Sequence, residues 1–111
     1  SIRNLLKDLI AKDKEEEVTF DAIQRAVAEH YDIRLADMTS KRRPRSIAMP
    51  RQVAMYLAKS MTTRSLPEIG RRFGGRDHTT IMHGVRKVEE LKATDSQLAE
   101  DLDLLRRLLE A

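Results

Sequence analysis

Asp77, His78 and His83 are the residues of this 111-residue chain whose types could do catalysis or hold a metal. Their spacing argues against both. The two histidines lie five apart within one stretch of helical apolar spacing, and at about 100° per residue they fall roughly 140° apart around the helix axis. No HExxH pattern or second carboxylate cluster accompanies them. Cysteine is absent, and no glycine-rich phosphate loop occurs. The expectation is no catalytic residue, no metal ligand and no enzyme. The same neighbourhood suits another chemistry. In Arg76-Asp77-His78-Thr79-Thr80 a carboxylate can accept from cytosine N4, an imidazole can donate to purine acceptors, and threonine offers both a hydroxyl and a methyl. Asp77 has a simpler role as a helix cap, and an acid facing a polyanion serves to reject wrong bases more than to add affinity.

Those residues need a frame, and the flanking sequence supplies one. Ser65 followed three residues later by Glu68 is a capping box, with Pro67 tolerated in the first turn. A short helix therefore starts at Leu66, with Ile69 and Phe73 as its apolar edge, and Gly74-Gly75 stops it. Asp77 caps a second helix whose Ile81, Val85, Val88 and Leu91 share a face. Helix, glycine turn and polar-fronted helix form the helix-turn-helix pattern, in which the second helix meets base edges in the major groove. Gly84, inside that helix, points to close packing against a neighbour.

Charge distribution supports a polyanion partner. Net charge is only +3, but residues 41–87 hold 12 Lys/Arg against 2 Asp/Glu, while residues 1–40 and 88–111 are net acidic. Lys41, Arg42, Arg43 and Arg45 are expected on a loop interrupted by Pro44, and such a loop can enter a narrow minor groove or only touch phosphates. A long helix with Pro50 in its first turn is expected to run to about Met61. Val53, Ala54, Leu57, Ala58 and Met61 would be its packing face, and Arg51, Gln52 and Lys59 would lie off that face as phosphate contacts. Scarce aromatics argue against a stacking platform for single strands.

The rest of the chain reads as helical packing. Ile2, Leu5, Leu6, Leu9 and Ile10 make an amphipathic stretch over Ser1–Lys12, either a stem from a preceding domain or another core helix; contact with acidic phospholipid is disfavoured by its small basic excess. Thr19 caps a helix over Phe20–His30, with Ile23, Ala26, Val27 and Tyr31 inward and His30 a helix-end residue. Ile33, Leu35 and Met38 are expected to face in from a tight connection. Thr94, Asp95 or Ser96 caps a last helix with Leu98, Leu102, Leu105 and Leu109 on one side; Leu104 and Leu108 widen its stripe towards a second neighbour or a partner. No strand signal or internal repeat occurs. The expected fold is all-α, with about six helices. The start at Ser1 suggests a piece of a longer protein, and the missing cysteines and signal peptide suggest a cytoplasmic location.

At these residues the chain resembles the DnaA family of bacterial replication initiators. Gly74-Gly75-Arg76-Asp77-His78-Thr79-Thr80-Ile81 with His83 is similar to the family signature. Ser40-Lys41-Arg42-Arg43-x-Arg45, Pro50-Arg51-Gln52-x-Ala54-Met55 and Ser65-Leu66-Pro67-Glu68-Ile69-Gly70 match in the same order. The resemblance implies a Trp-repressor-like domain IV over residues 18–111, preceded at 1–17 by the end of a linker helix. It also implies binding of duplex DnaA boxes, sites resembling TTATCCACA, at the replication origin. Arg43 would enter the minor groove while Asp77, His78 and Thr79 read the major groove, and Leu66 and Pro67 would touch thymine methyls. Lys41, Arg42, Arg45, Arg51, Gln52, Lys59, Arg76 and Thr80 would hold phosphates. No cofactor is implied for this segment, since ATP belongs to the family's preceding AAA+ domain. Gly84 stands where alanine is usual, Ile81 replaces valine, and Pro44 occupies a variable loop position. The alternatives are a transcriptional regulator using the same motif, or a protein-interaction module contacting regulators or other initiator copies through an end helix. The fragment itself is expected to be a monomer.

Overall fold

The computed structural model describes residues 18–111, so the amphipathic stretch Ser1–Lys12 and the linker boundary at residue 17 lie outside the described residues. The elements are α1 (Phe20–His30), a 3-10 turn (Leu35–Met38), α2 (Arg45–Met61), α3 (Leu66–Arg72), α4 (His78–Lys92) and α5 (Ser96–Glu110). The fold is all-α, with five α-helices and one 3-10 turn among the described residues. The expected count of about six included the segment outside them.

Helix α2 is the hub. It packs most extensively on α4 and also touches α1, α3, α5 and the 3-10 turn. Val53, Ala54, Leu57 and Ala58 are fully buried, so α2 is enclosed over most of its circumference. It meets α4 closely at Gly84, where a Cβ would stand 3.1 Å from Met55 Sδ and 3.4 Å from Gln52 Cγ. Met55 thus fills core space.

Two expectations need correction. Helix α2 starts at Arg45, five residues before Pro50. Pro44 opens the helix instead of interrupting the segment, because its carbonyl accepts from Ile47 N (2.9 Å) and Ala48 N (2.8 Å). Arg45 therefore belongs to the first turn and not to the loop. Pro50 lies inside the helix, where its missing N–H removes the bond to the Ser46 carbonyl close to the helix start. The second correction concerns Leu35, which is 36% exposed because the 3-10 turn buries Asp37 and Met38 instead.

The helix starts follow their capping residues. Thr19, Ser65, Asp77 and Asp95 accept from Ala22 N, Glu68 N, Thr80 N and Leu98 N respectively. Glu68 completes its cap by accepting from the Ser65 hydroxyl at 3.2 Å. The glycine stop after α3 uses positive φ at both positions, 82° at Gly74 and 76° at Gly75.

Helices α1 and α5 close on each other through Asp101. His30 Nε2 lies 3.0 Å from Oδ1, the Tyr31 hydroxyl donates to Oδ2 at 3.0 Å, and Gln97 donates at 3.1 Å. Burial raises the Asp101 carboxyl's affinity for a proton, but the His30, Gln97 and Tyr31 hydrogen bonds outweigh it and hold the group below the usual carboxylate range. Burial and the same carboxylate push the Tyr31 hydroxyl above its ordinary range. Leu98, Leu102 and Leu105 are buried beneath this clasp, whereas Leu104 (46%) and Leu108 (59%) face outward.

Two stability tests follow from this packing. A carboxyl depressed in the folded state binds protons more weakly than in the unfolded chain. Its contribution is complete above the unfolded value, about pH 4, and disappears as pH falls through the folded one. Thermal melts should therefore give Asp101→Asn a lower midpoint at neutral pH and a shallower loss between about pH 5 and pH 2. In the turn, alanine at either glycine bears the left-handed penalty of about 1–2 kcal/mol. At Gly74 the Cβ would also stand 2.5 Å from the Thr39 carbonyl oxygen, whereas nothing lies within 4 Å at Gly75. Urea denaturation should find Gly74→Ala less stable than Gly75→Ala by about a further 1–3 kcal/mol.

Candidate nucleic-acid interface

The front of α4 is built for contact with a ligand. His78, Thr79 and Thr80 are its first three residues, and all are exposed. Unpaired N–H groups at a helix start favour negative charge, so a phosphate is attracted there. Asp77 tempers that attraction. The Thr80 N–H donates to its carboxylate at 2.8 Å. That backbone bond is the main reason the carboxyl stays below its ordinary range, helped by the Thr80 hydroxyl and the neighbouring His78. Asp77 is thus an ionised cap on an exposed edge. At the first turn of α3, Pro67 is exposed and Leu66 half-buried, giving a small apolar contact surface. His83 is exposed further along α4, and among the described residues no group of three His, Cys, Asp or Glu could hold a metal ion.

The basic loop carries Lys41, Arg42 and Arg43, all exposed, and runs into Arg45 at the exposed start of α2. Its tip is open, but its root is held. Arg51 reaches back from α2 and donates from Nε to the Asp37 carbonyl (3.1 Å), and from Nη2 to Ser40 Oγ (3.3 Å) and the Arg42 carbonyl (2.8 Å). Arg76 reaches from the helix-turn-helix turn and donates from Nη2 to the Ser40 carbonyl at 2.6 Å and from Nη1 to the Phe73 carbonyl. The Arg42 N–H donates to Ser40 Oγ at 3.3 Å. Two arginines from different elements therefore meet at Ser40.

Burial lowers the proton affinity of both guanidinium groups, with Arg76 adding to the effect at Arg51 and Asp37 opposing it. Arginine's ordinary value is high enough that both remain cations. Asp37, only 3% exposed, balances this cluster. Its Oδ2 accepts from Arg34 N at 3.2 Å, while Oδ1 lies 3.6 Å from Arg42 Nη1 and 3.7 Å from Arg34 Nη2 without a hydrogen bond.

This geometry divides the residues expected to hold phosphates. Lys41, Arg42, Arg45, Lys59 and Thr80 are exposed. Gln52 is half-buried against Gly84, with Lys59 two turns farther along α2, about 10 Å away. Arg51 does not lie off the packing face as expected: it is 6% exposed, because three acceptors in the preceding loop turn back onto it. Arg76 is half-buried for the same reason. Sequence reasoning also missed Asp37, Ser40 and Gln24, which donates to the Arg72 carbonyl at 2.9 Å and closes the end of α3. Separations of 14 residues for Asp37–Arg51 and 36 for Ser40–Arg76 leave no periodic signal to find.

Comparisons with known proteins agree with this geometry. Residues 20–88 match the family described as bacterial dnaA protein helix-turn-helix. The chromosomal replication initiator protein DnaA of Cereibacter sphaeroides is 72% identical over 102 residues, covering 92% of this chain and 22% of the relative. That of Roseobacter denitrificans is 62% identical over 108 residues, covering 97% and 24%. The chain thus spans about a quarter or less of the curated relatives it matches. A crystal structure of a DNA replication initiation factor superposes with a TM-score of 0.71 at 29% identity, covering 91% of this chain and 31% of that one. With the family match running from α1 into α4, over the hub helix, the turn and the polar helix start, this chain belongs to the bacterial DnaA helix-turn-helix family.

Proposed function

We propose that this domain binds duplex DNA sequence-specifically, at DnaA boxes of a replication origin, in the initiation of chromosome replication. Helix α4 enters the major groove with Asp77, His78 and Thr79 at base edges and Leu66 and Pro67 against thymine methyls. The basic loop takes the adjacent minor groove with Arg43. Lys41, Arg42, Arg45, Gln52, Lys59 and Thr80 face phosphates. The observation that carries this reading is the junction at Ser40, which sets the open basic loop beside the turn that presents α4. Names of the relatives point the same way, since they are replication initiators. The ATP-dependent steps of initiation are assigned to the AAA+ domain that the family carries before this one.

Two observations bear on neighbouring readings. A promoter containing the same boxes would engage the same surface, which makes transcriptional regulation a second use of one site. Leu104 and Leu108, exposed on the acidic helix α5, favour an additional protein contact there. No described helix is long and apolar enough to cross a membrane.

A titration of box and scrambled duplexes at two salt concentrations tests the proposal. His78→Ala and Thr79→Ala should each cost about 1–3 kcal/mol on the box and flatten base preference at the affected pair. Arg45→Ala should weaken both duplexes alike and lower the salt slope by about one. Replacing minor-groove A·T pairs with G·C should hurt the wild type more than Arg43→Ala. Equal wild-type affinity for box and scrambled duplexes at every salt concentration would rule out specific recognition.

A further inference from the structure

We infer that Arg76 is a positioning residue that fixes the basic loop relative to the recognition helix, and that it sets sequence preference without acting as a phosphate ligand. The inference rests on the duplex-reading proposal above. Its basis is where the guanidinium fork goes. One arm donates to the Phe73 carbonyl at the end of α3, and the other donates to the Ser40 carbonyl at the loop root, 36 residues away in sequence. The Arg76 backbone N–H is itself committed, to the Gly70 carbonyl at 2.9 Å. Both chain and side chain of Arg76 are thus anchored, and the group is drawn in from the surface that a phosphate would approach.

Glycines make room for this junction. A Cβ at Gly74 would stand 2.5 Å from the Thr39 carbonyl oxygen and 3.1 Å from Arg76 Nη1, and a Cβ at Gly70 would stand 2.0 Å from the Arg76 carbonyl oxygen. Close approach of the turn to Thr39 and Ser40 is therefore a feature of backbone packing, with Arg76 as its polar lock. Arg51 holds the same loop from α2, whereas Arg76 ties it to the turn that leads into α4. A reader that spans two grooves needs its two contacts at a set separation. If the loop root swings, Arg43 must be ordered at the moment of binding and contributes less. Lysine keeps the charge at this position but lacks the planar fork that bridges two carbonyls.

The test measures the Arg43→Ala penalty on the box duplex in two backgrounds, wild type and Arg76→Lys, with Thr79→Ala as control. Positioning predicts that Arg76→Lys lowers the box-to-scrambled preference by about tenfold or more, while affinity for the scrambled duplex and the salt slope stay unchanged. The Arg43→Ala penalty should shrink at least threefold in the Arg76→Lys background, whereas the Thr79→Ala penalty keeps its size. Should Arg76→Lys retain full preference, or should Arg76→Gln weaken both duplexes equally and lower the salt slope by about one, Arg76 is a phosphate ligand and the inference fails. Hydrogen exchange on the free wild-type chain needs no variant that folds. The Arg42 amide, which donates to Ser40 Oγ, should exchange at least tenfold slower than in an unstructured peptide, and exchange at the peptide rate overturns the inference. A wild type without box preference sinks the duplex-reading proposal itself, whereas a wild-type preference that Arg76→Lys keeps sinks only the positioning role.

Discussion

Like charges crowded into one stretch of chain repel, and that repulsion is the constraint around which this domain is arranged. Residues 41–87 carry 12 basic side chains against two acidic ones, a density that favours unfolding unless something offsets it. The fold nonetheless draws two of these cations inward, at a cost, since burial and the nearby Arg76 both disfavour the charged Arg51 guanidinium. Arg51 and Arg76 give their donors to backbone carbonyls and the Ser40 hydroxyl, and buried Asp37 supplies a compensating negative charge. Carbonyl acceptors hold a guanidinium in place without neutralising it, so the offset in charge comes from Asp37. Among the cations left outside, Lys41, Arg43 and Arg45 of the basic loop and the start of α2 remain available to a polyanion.

The hub helix explains how so small a core holds this arrangement. Alanines at 54 and 58 and the glycine at 84 let backbones approach closely, so α2 touches each of the other described helices. A long helix enclosed this way acts as a rigid bar. The basic loop feeds its first turn and Gln52, the residue after Arg51, meets α4, so both candidate groove readers take their position from it.

Local chemistry was legible in the sequence, whereas contacts between distant segments were not. Helix starts at Thr19, Ser65 and Asp77 follow from side chains that cap within three residues, and the turn follows from two adjacent glycines. Core faces at Val53–Ala58 and Leu98–Leu105 follow from periodicity. The start of α2 is hard to read because proline disfavours helix before itself and is well suited to opening one, and a choice between Pro44 and Pro50 has no local signature. Arg51 was misjudged for a different reason. An arginine on a basic stretch looks solvent-facing until its acceptors are known, and those acceptors come from a loop whose path is set by tertiary packing. The Asp101 clasp on His30 and Tyr31, about 70 residues away, is hidden in the same way.

That clasp also shapes how the molecule meets a charged surface at long range. By pinning α1 to α5 it gathers the chain's acidic helices together, and α5 packs near Lys92 and Ala93 at the far end of α4, roughly 20 Å from His78. The net-acidic helices α1 and α5 thereby lie together while the basic loop lies elsewhere, an uneven charge distribution that gives the domain a dipole moment. Approaching a polyanion, such a body turns its cationic end forward within about a Debye length, some 10 Å at 0.1 M salt. Encounters are thus pre-aligned before any base is touched, and rising ionic strength slows the search by scrambling that alignment.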